Sequence, residues 1–263
     1  MAGEHRTWVC SVLFMDIVSY TKYSVEEQIA IRKHYYSIVS KVLSKYSKED
    51  YATVDAGDGM AIAYTGDPED VLVYAINLRN TFVALQRTKR IHYRVRLGVN
   101  LGPARIVRMH GETRVIGDAI NVSNRVMSFA SDNQLLISRS FFDVCSNLSK
   151  EYASLFIYLG RKADKHRRYH AVYEYVPEGN GGSVGDNPEM GEESRQEEYC
   201  RVNFDPKQLS LLSTELNYFV GPIAQILVKR AAQRALNFDD LVDRLADEID
   251  EVDERSEFSL QVR

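Results

Sequence analysis

The segment Trp8 to Ile17, WVCSVLFMDI, constrains the fold most. It is a continuous apolar run that ends in an aspartate, Asp16. Such a run suits a central strand covered on both faces. The chain therefore needs packed layers on a sheet. The segments that follow alternate in type. Ser24-Val25-Glu26-Glu27 is a capping box and predicts a helix to about Tyr46. Tyr51–Ala56 reads as a strand, Gly57-Asp58-Gly59 as a tight turn, and Met60–Tyr64 as the returning strand. Asp67-Pro68-Glu69-Asp70 opens a second helix, through about Gln86. Tyr93–Asn100 is a strand. Arg105–Met109 and Thr113–Ile116 flank His110-Gly111-Glu112 as a hairpin. Asp118–Ala130 is helical, and Gln134–Ser138 and Arg168–Tyr175 are strands. This order predicts an α+β fold, with helices packed on one main sheet.

The 263 residues suit one domain plus an accessory piece. Composition changes after Pro177. Glu178 to Glu198, EGNGGSVGDNPEMGEESRQEE, cannot bury a core and reads as a linker over 177–204. Asp205-Pro206 restarts a helix, with Leu209, Leu212, Leu216 and Phe219 at helical spacing. Gly221-Pro222 breaks it, and Ile223, Ile226 and Leu227 begin another. Asn237 caps a third, with Leu241, Leu245 and Ile249 inward. The expected organisation is a catalytic domain over 7–176, a helical accessory domain over 205–252 and an acidic tail over 253–263. The end, from Asp247 on, is expected to fray.

Net charge is -4, so the basic footprint of a duplex-DNA binder is missing and no direct nucleic-acid binding is expected. No apolar stretch approaches the ~20 residues of a membrane span. The start, MAGEHRTW, has no signal-peptide core. The expected location is cytoplasmic. Cys10, Cys145 and Cys200 lie far apart, which fits neither a disulfide framework nor a zinc site.

Asp16 ends a buried strand and Asp58 sits in a turn between strands. If those strands are neighbours, the two carboxylates meet at the rim of the sheet. Paired carboxylates repel unless a cation lies between them. Hard oxygen ligands together with nucleotide phosphates are a usual way to hold Mg²⁺. Asp-Gly in a hairpin is more often a plain turn residue. The loop Ile17-Val18-Ser19-Tyr20-Thr21 offers N–H groups to an anion or is an ordinary connection with Thr21 or Ser24 as cap. Asn121 and Arg125 are four residues apart and share a helix face. An amide beside a guanidinium suits a charged phosphoryl transition state; alone, a solvated helix face explains the pair equally.

Four stretches, LFMDIVSYT (Leu13–Thr21), AGDGMAIAY (Ala56–Tyr64), VRLGVNLGPARI (Val95–Ile106) and VIGDAINVSNRV (Val115–Val126), together resemble the catalytic domain of class III nucleotidyl cyclases. The resemblance spans roughly 7–176 and implies a ferredoxin-like sheet with flanking helices. It implies that Asp16 and Asp58, with the main chain of Ile17, hold two Mg²⁺ or Mn²⁺ ions. It implies that Asn121 orients the ribose and that Arg125 stabilises the transition state. Ser19, Tyr20, Thr21, Arg96 and a basic residue of LGRKADKHRRYH, Lys162 foremost among Arg161, Lys162 and Lys165, would bind the triphosphate. It further implies a head-to-tail homodimer in which one chain supplies the metal carboxylates and the other supplies Asn121 and Arg125.

The purine code of the family is absent. Its adenylate cyclases carry lysine, and its guanylate cyclases glutamate, where Val54 stands. The partner position is aspartate or cysteine in those enzymes and Arg114 here. Valine cannot hydrogen-bond a base edge. Arginine only donates, which favours the carbonyl acceptors of uracil over the amine of adenine. Tyr51 is a further candidate for filling space that a purine needs. The departure resembles the pyrimidine cyclases of bacterial Pycsar anti-phage defence, which make cyclic UMP or cyclic CMP; Arg114 favours UTP over CTP. The expectation is a uridylate cyclase that signals to an effector through cyclic UMP. A purine cyclase and a catalytically silent nucleotide-binding module are the alternatives. The helical tail resembles a small domain attached to bacterial signalling proteins.

Overall fold

The computed structural model describes residues 7–109, 112–177, 204–249 and 251–262. It divides into two compact units, Met1–Val176 and Pro177–Arg263. The expected linker at 177–204 lies almost wholly outside the described residues, as do His110 and Gly111 of the expected hairpin.

The first unit begins with β1 (Trp8–Ile17), α1 (Val25–Leu43), β2 (Tyr51–Asp55), β3 (Gly59–Tyr64), α2 (Pro68–Arg87) and β4 (Val95–Met109). It continues with β5 (Glu112–Ile116), α3 (Asp118–Ser128), β6 (Leu135–Ser138), α4 (Arg139–Leu148), α5 (Lys150–Ser154), β7 (Phe156–Ala163) and β8 (Tyr169–Tyr175). Among the described residues the sheet order is β2-β3-β1-β4-β6-β8-β7, with β5 hairpinned onto β4. The first four strands, joined β1-α1-β2-β3-α2-β4 and all antiparallel to their neighbours, make the ferredoxin-like arrangement. The expected α+β class is the observed one.

The apolar run is the central strand that its composition implies. Val12, Leu13 and Met15 are each 0% exposed. Alternate residues serve opposite layers. Cys10, Val12 and Phe14 join Ala61, Ala63, Ala119 and Met127 in the core beneath α3. The other face meets α1 and α2: the ring of Tyr64 lies 6.1 Å from that of Tyr74, and Tyr35 stacks on Phe82 at 5.8 Å. The capping box at the start of α1 is present, with Ser24 accepting from the Glu27 amide and Glu27 accepting from the Ser24 amide.

The second unit contains α6 (Pro206–Val220), α7 (Ala224–Arg234), α8 (Phe238–Ala246) and α9 (Val252–Val262). Asp205 and Asn237 cap α6 and α8 as expected. A short 3-10 turn over Gly221–Ile223 separates α6 from α7. The expected fraying from Asp247 on is corrected here. Phe258 is fully buried and Val262 nearly so, and Phe258 meets Phe219 of α6 at 5.9 Å. Asp253 and Glu254 occupy the first turn of α9, where acidic side chains favour a helix. Among the described residues, no helix is long and apolar enough to cross a membrane.

Candidate active site

Strand pairing brings the two aspartates together. Asp16 of β1 is opposite Gly59 of β3, so Asp58 is one residue from direct register. The Ile17 amide donates to the Asp58 carbonyl at 3.0 Å. The Ile17 side chain is buried, which leaves its main chain at the strand end. Asp58 is exposed, whereas Asp16 is 6% exposed.

Glycine is required on both sides of Asp58. Gly57 has φ +87°, a left-handed conformation that side chains disfavour. Gly59 has a different reason: a Cβ there would sit 2.0 Å from the Met15 carbonyl oxygen. Gly59→Ala should therefore push β3 from β1 and separate the carboxylates. The expected cost is about 3 kcal/mol, read as a melting temperature lower by roughly 6–12 °C. A melting temperature within 2 °C of wild type, by about the same conversion, would show that the strands absorb the methyl group.

Arg32 of α1 clamps the turn from the helix side. It donates to the Gly57 carbonyl and the Asp55 carboxylate, and to the Tyr36 hydroxyl at 2.9 Å. Asp55 in turn accepts from the Gly57 amide at 2.8 Å. Sequence reading passed over Arg32, because 25 residues separate it from its partner Gly57.

Arg96 meets Asp16 in a two-pronged pair. Nε lies 3.0 Å from Oδ1 and Nη2 lies 2.5 Å from Oδ2. The Asp16 hydrogen bond is the main influence that raises the Arg96 pKa; burial opposes it, and the charges of Asp16, Asp58 and Asp132 add to it. A guanidinium thus occupies the position of a cation beside the buried carboxylate. Among the described residues no group of three or more His, Cys, Asp or Glu gathers to hold a metal. Two carboxylates and a main-chain oxygen fit Mg²⁺ or Mn²⁺ only when phosphate and water complete the shell.

The loop after β1 is shaped by Ser19, which has φ +56°. Lys22 and Tyr23 amides close it onto Ser19 and Tyr20 carbonyls, and the Tyr20 hydroxyl donates to the Gln28 carbonyl at 3.1 Å. Ser19 and Thr21 are exposed beside the aspartates' strand end.

Asn121 and Arg125 lie on one face of α3, exposed and half-buried respectively. Arg125 Nε lies 3.7 Å from Asp164 Oδ2, in the turn between β7 and β8. Strand β8 is three places across the sheet from β1. In the β7–β8 register Lys162 pairs with His170, which contacts Phe129 at the end of α3. Arg161 lies over Tyr169 on the opposite face, 5.5 Å from its ring centre. Of the basic candidates, Lys162 therefore shares a face with His170, toward α3.

Val54 is half-buried against the core beneath α3, and Arg114 is exposed on β5, which lies beside β2. Tyr51 is three residues from Val54 and faces the other side of β2.

Comparison with solved structures bears on the fold. The adenylyl cyclase CyaB from P. aeruginosa matches with a TM-score of 0.55 and 19% identity, over 71% of this chain and 98% of that one. The guanylate cyclase domain of RhGC from Catenaria anguillulae, solved with GTP, matches at 0.53 and 16%, over 65% and 98%. The adenylate/guanylate cyclase/hydrolase from Silicibacter pomeroyi matches at 0.51 and 21%, over 66% and 99%. The first unit has the cyclase-domain fold. Residues 207–263 match a family model described as a domain of unknown function, DUF8082. No curated protein matches the chain.

Proposed function

We propose that this chain is a cytoplasmic nucleotidyl cyclase that converts a nucleoside triphosphate, UTP in first place, to its 3′,5′-cyclic monophosphate and pyrophosphate. The observation that carries this reading is the register that sets Asp16 of β1 opposite Gly59, next to Asp58, in a cyclase-type sheet. Asn121 and Arg125 on one helix face complete the residue set.

Two Mg²⁺ or Mn²⁺ ions, when bound, would activate the ribose 3′-oxygen and neutralise the phosphates. Asp16, Asp58 and the Ile17 carbonyl would hold them. Ser19, Tyr20, Thr21, Arg96 and Lys162 bind the triphosphate. Asn121 orients the ribose, and Arg125 meets the charge that grows on the phosphoryl oxygens. Within one chain Arg125 pairs with Asp164 of the β7–β8 turn. The cyclase reading brings with it a head-to-tail homodimer in which each site draws on both chains. Val54 presents a methyl surface to the base, and Arg114 offers donors to uracil carbonyls. Cyclic UMP as product supports a messenger role in bacterial anti-phage defence, read by a separate effector.

The test is incubation of purified protein with Mn²⁺ and ATP, GTP, CTP or UTP separately, with products identified by mass. Cyclic UMP should dominate and vanish in Asp58→Ala. Cyclic AMP or cyclic GMP as the main product would replace the pyrimidine reading with a purine cyclase. No product from any nucleotide would favour a silent binding module.

A further inference from the structure

Asp164 is an acid in a basic hairpin, RKADKHRR, from Arg161 to Arg168. Its side chain is only 4% exposed, although Lys162, Lys165, Arg167 and Arg168 around it are exposed. Its two oxygens have different partners. Oδ1 accepts from the His166 amide at 2.8 Å and the Arg168 amide at 3.0 Å, which closes the turn. Oδ2 faces His170 Nε2 at 3.3 Å and Arg125 Nε at 3.7 Å. The turn needs only the first oxygen, so it does not explain the second.

Burial is the largest influence on this carboxyl and would raise its pKa. The Arg168 and His166 amides, then His170, outweigh it and bring the pKa down to about 2. Asp164 is thus a carboxylate throughout the neutral range and can only accept. His170 must carry its proton on Nε2 to bond it. The Phe129–His170 contact at 6.1 Å seats this hairpin against the end of α3.

We propose that Asp164 is a positioning residue that holds the Arg125 guanidinium from its Nε side and aims the far nitrogens at the reacting phosphoryl group. This rests on the cyclase reading, in which Arg125 meets that group. An arginine left to rotate about its long stem would lose alignment in the transition state more than it would lose ground-state binding.

Asp164→Asn isolates the role. The asparagine oxygen can keep both amide bonds of the turn, while the side chain no longer carries a charge to pair with Arg125. In the full-length protein kcat should fall about 10- to 100-fold, with KM and melting temperature little changed. In an Arg125→Ala background the same change should cost nothing further. An equal loss in both backgrounds, or a loss tracked by KM and melting temperature, would overturn the proposal. Arginine side-chain NMR gives a readout free of turnover. The Arg125 Nε–H signal, identified by its loss in Arg125→Lys, should report a restricted side chain in wild type and a more mobile one in Asp164→Asn. An unchanged signal sinks the positioning role whatever the turnover. A wild type that cyclises no nucleotide sinks the cyclase reading instead.

Discussion

Asp16→Ala should lower cyclase turnover by about three orders of magnitude or more, with a melting temperature within a few degrees of wild type. Asp16 has little packing value of its own. Its side chain lies at the end of β1, and its polar partner is Arg96, whose side chain is 30% exposed. Removal of the carboxylate lets that guanidinium turn to water, so an uncompensated buried charge is avoided. What is lost is half of the carboxylate pair. Steady-state turnover and thermal melting on one preparation check both parts. A variant that keeps more than about a tenth of wild-type turnover would remove Asp16 from metal binding, because a lost ligand should cost far more than one factor of ten.

A mixture of Asp16→Ala and Asn121→Ala proteins should recover activity that neither has alone. In a head-to-tail homodimer each site takes Asp16 from one chain and Asn121 from the other. A mixed dimer collects both lesions in one site and leaves the second intact. Random exchange makes half of the dimers mixed, with half of their sites working, so equal mixing should restore about a quarter of wild-type turnover. The result is read by titrating one variant into the other. No recovery after demonstrated subunit exchange would mean that each chain builds its own site.

The central strand and the Gly-Asp turn were legible because local chemistry specifies them. Trp8–Ile17 must be covered on both faces, and a turn that places Asp58 between Gly57 and Gly59 has few backbone solutions. The positions of Asp16 and Asp58 followed once β1 and β3 were taken as neighbours. Strand β7, over Phe156–Ala163, was not legible. Gly160, with φ +88°, interrupts it, the register shifts between Tyr158 and Arg161, and most of its residues are exposed. Helix α4 was missed although Ser138 caps it. Helix α9 was hidden by its acidic start, and its anchor, Phe258, makes sense only against Phe219, which lies 39 positions earlier. The same holds for the site. Asp164 stands among five cations in the hairpin run and gains meaning only from Arg125, 39 positions earlier. Arg32 likewise gains meaning only when α1 is laid beside the turn.

On the cyclase reading, the Arg96–Asp16 pair would link metal and nucleotide thermodynamically. While the guanidinium is bonded to Asp16, it is unavailable to an anion and the carboxylate is unavailable to a metal ion. On the cyclase reading, a divalent cation that takes Asp16 releases Arg96, and a triphosphate that takes Arg96 releases Asp16. Each ligand removes the cost that the other would otherwise meet. Whatever factor the metal adds to nucleotide affinity, the nucleotide must return to metal affinity. A protein built in this way charges its site as a unit, and neither ligand alone should occupy it well at low concentration.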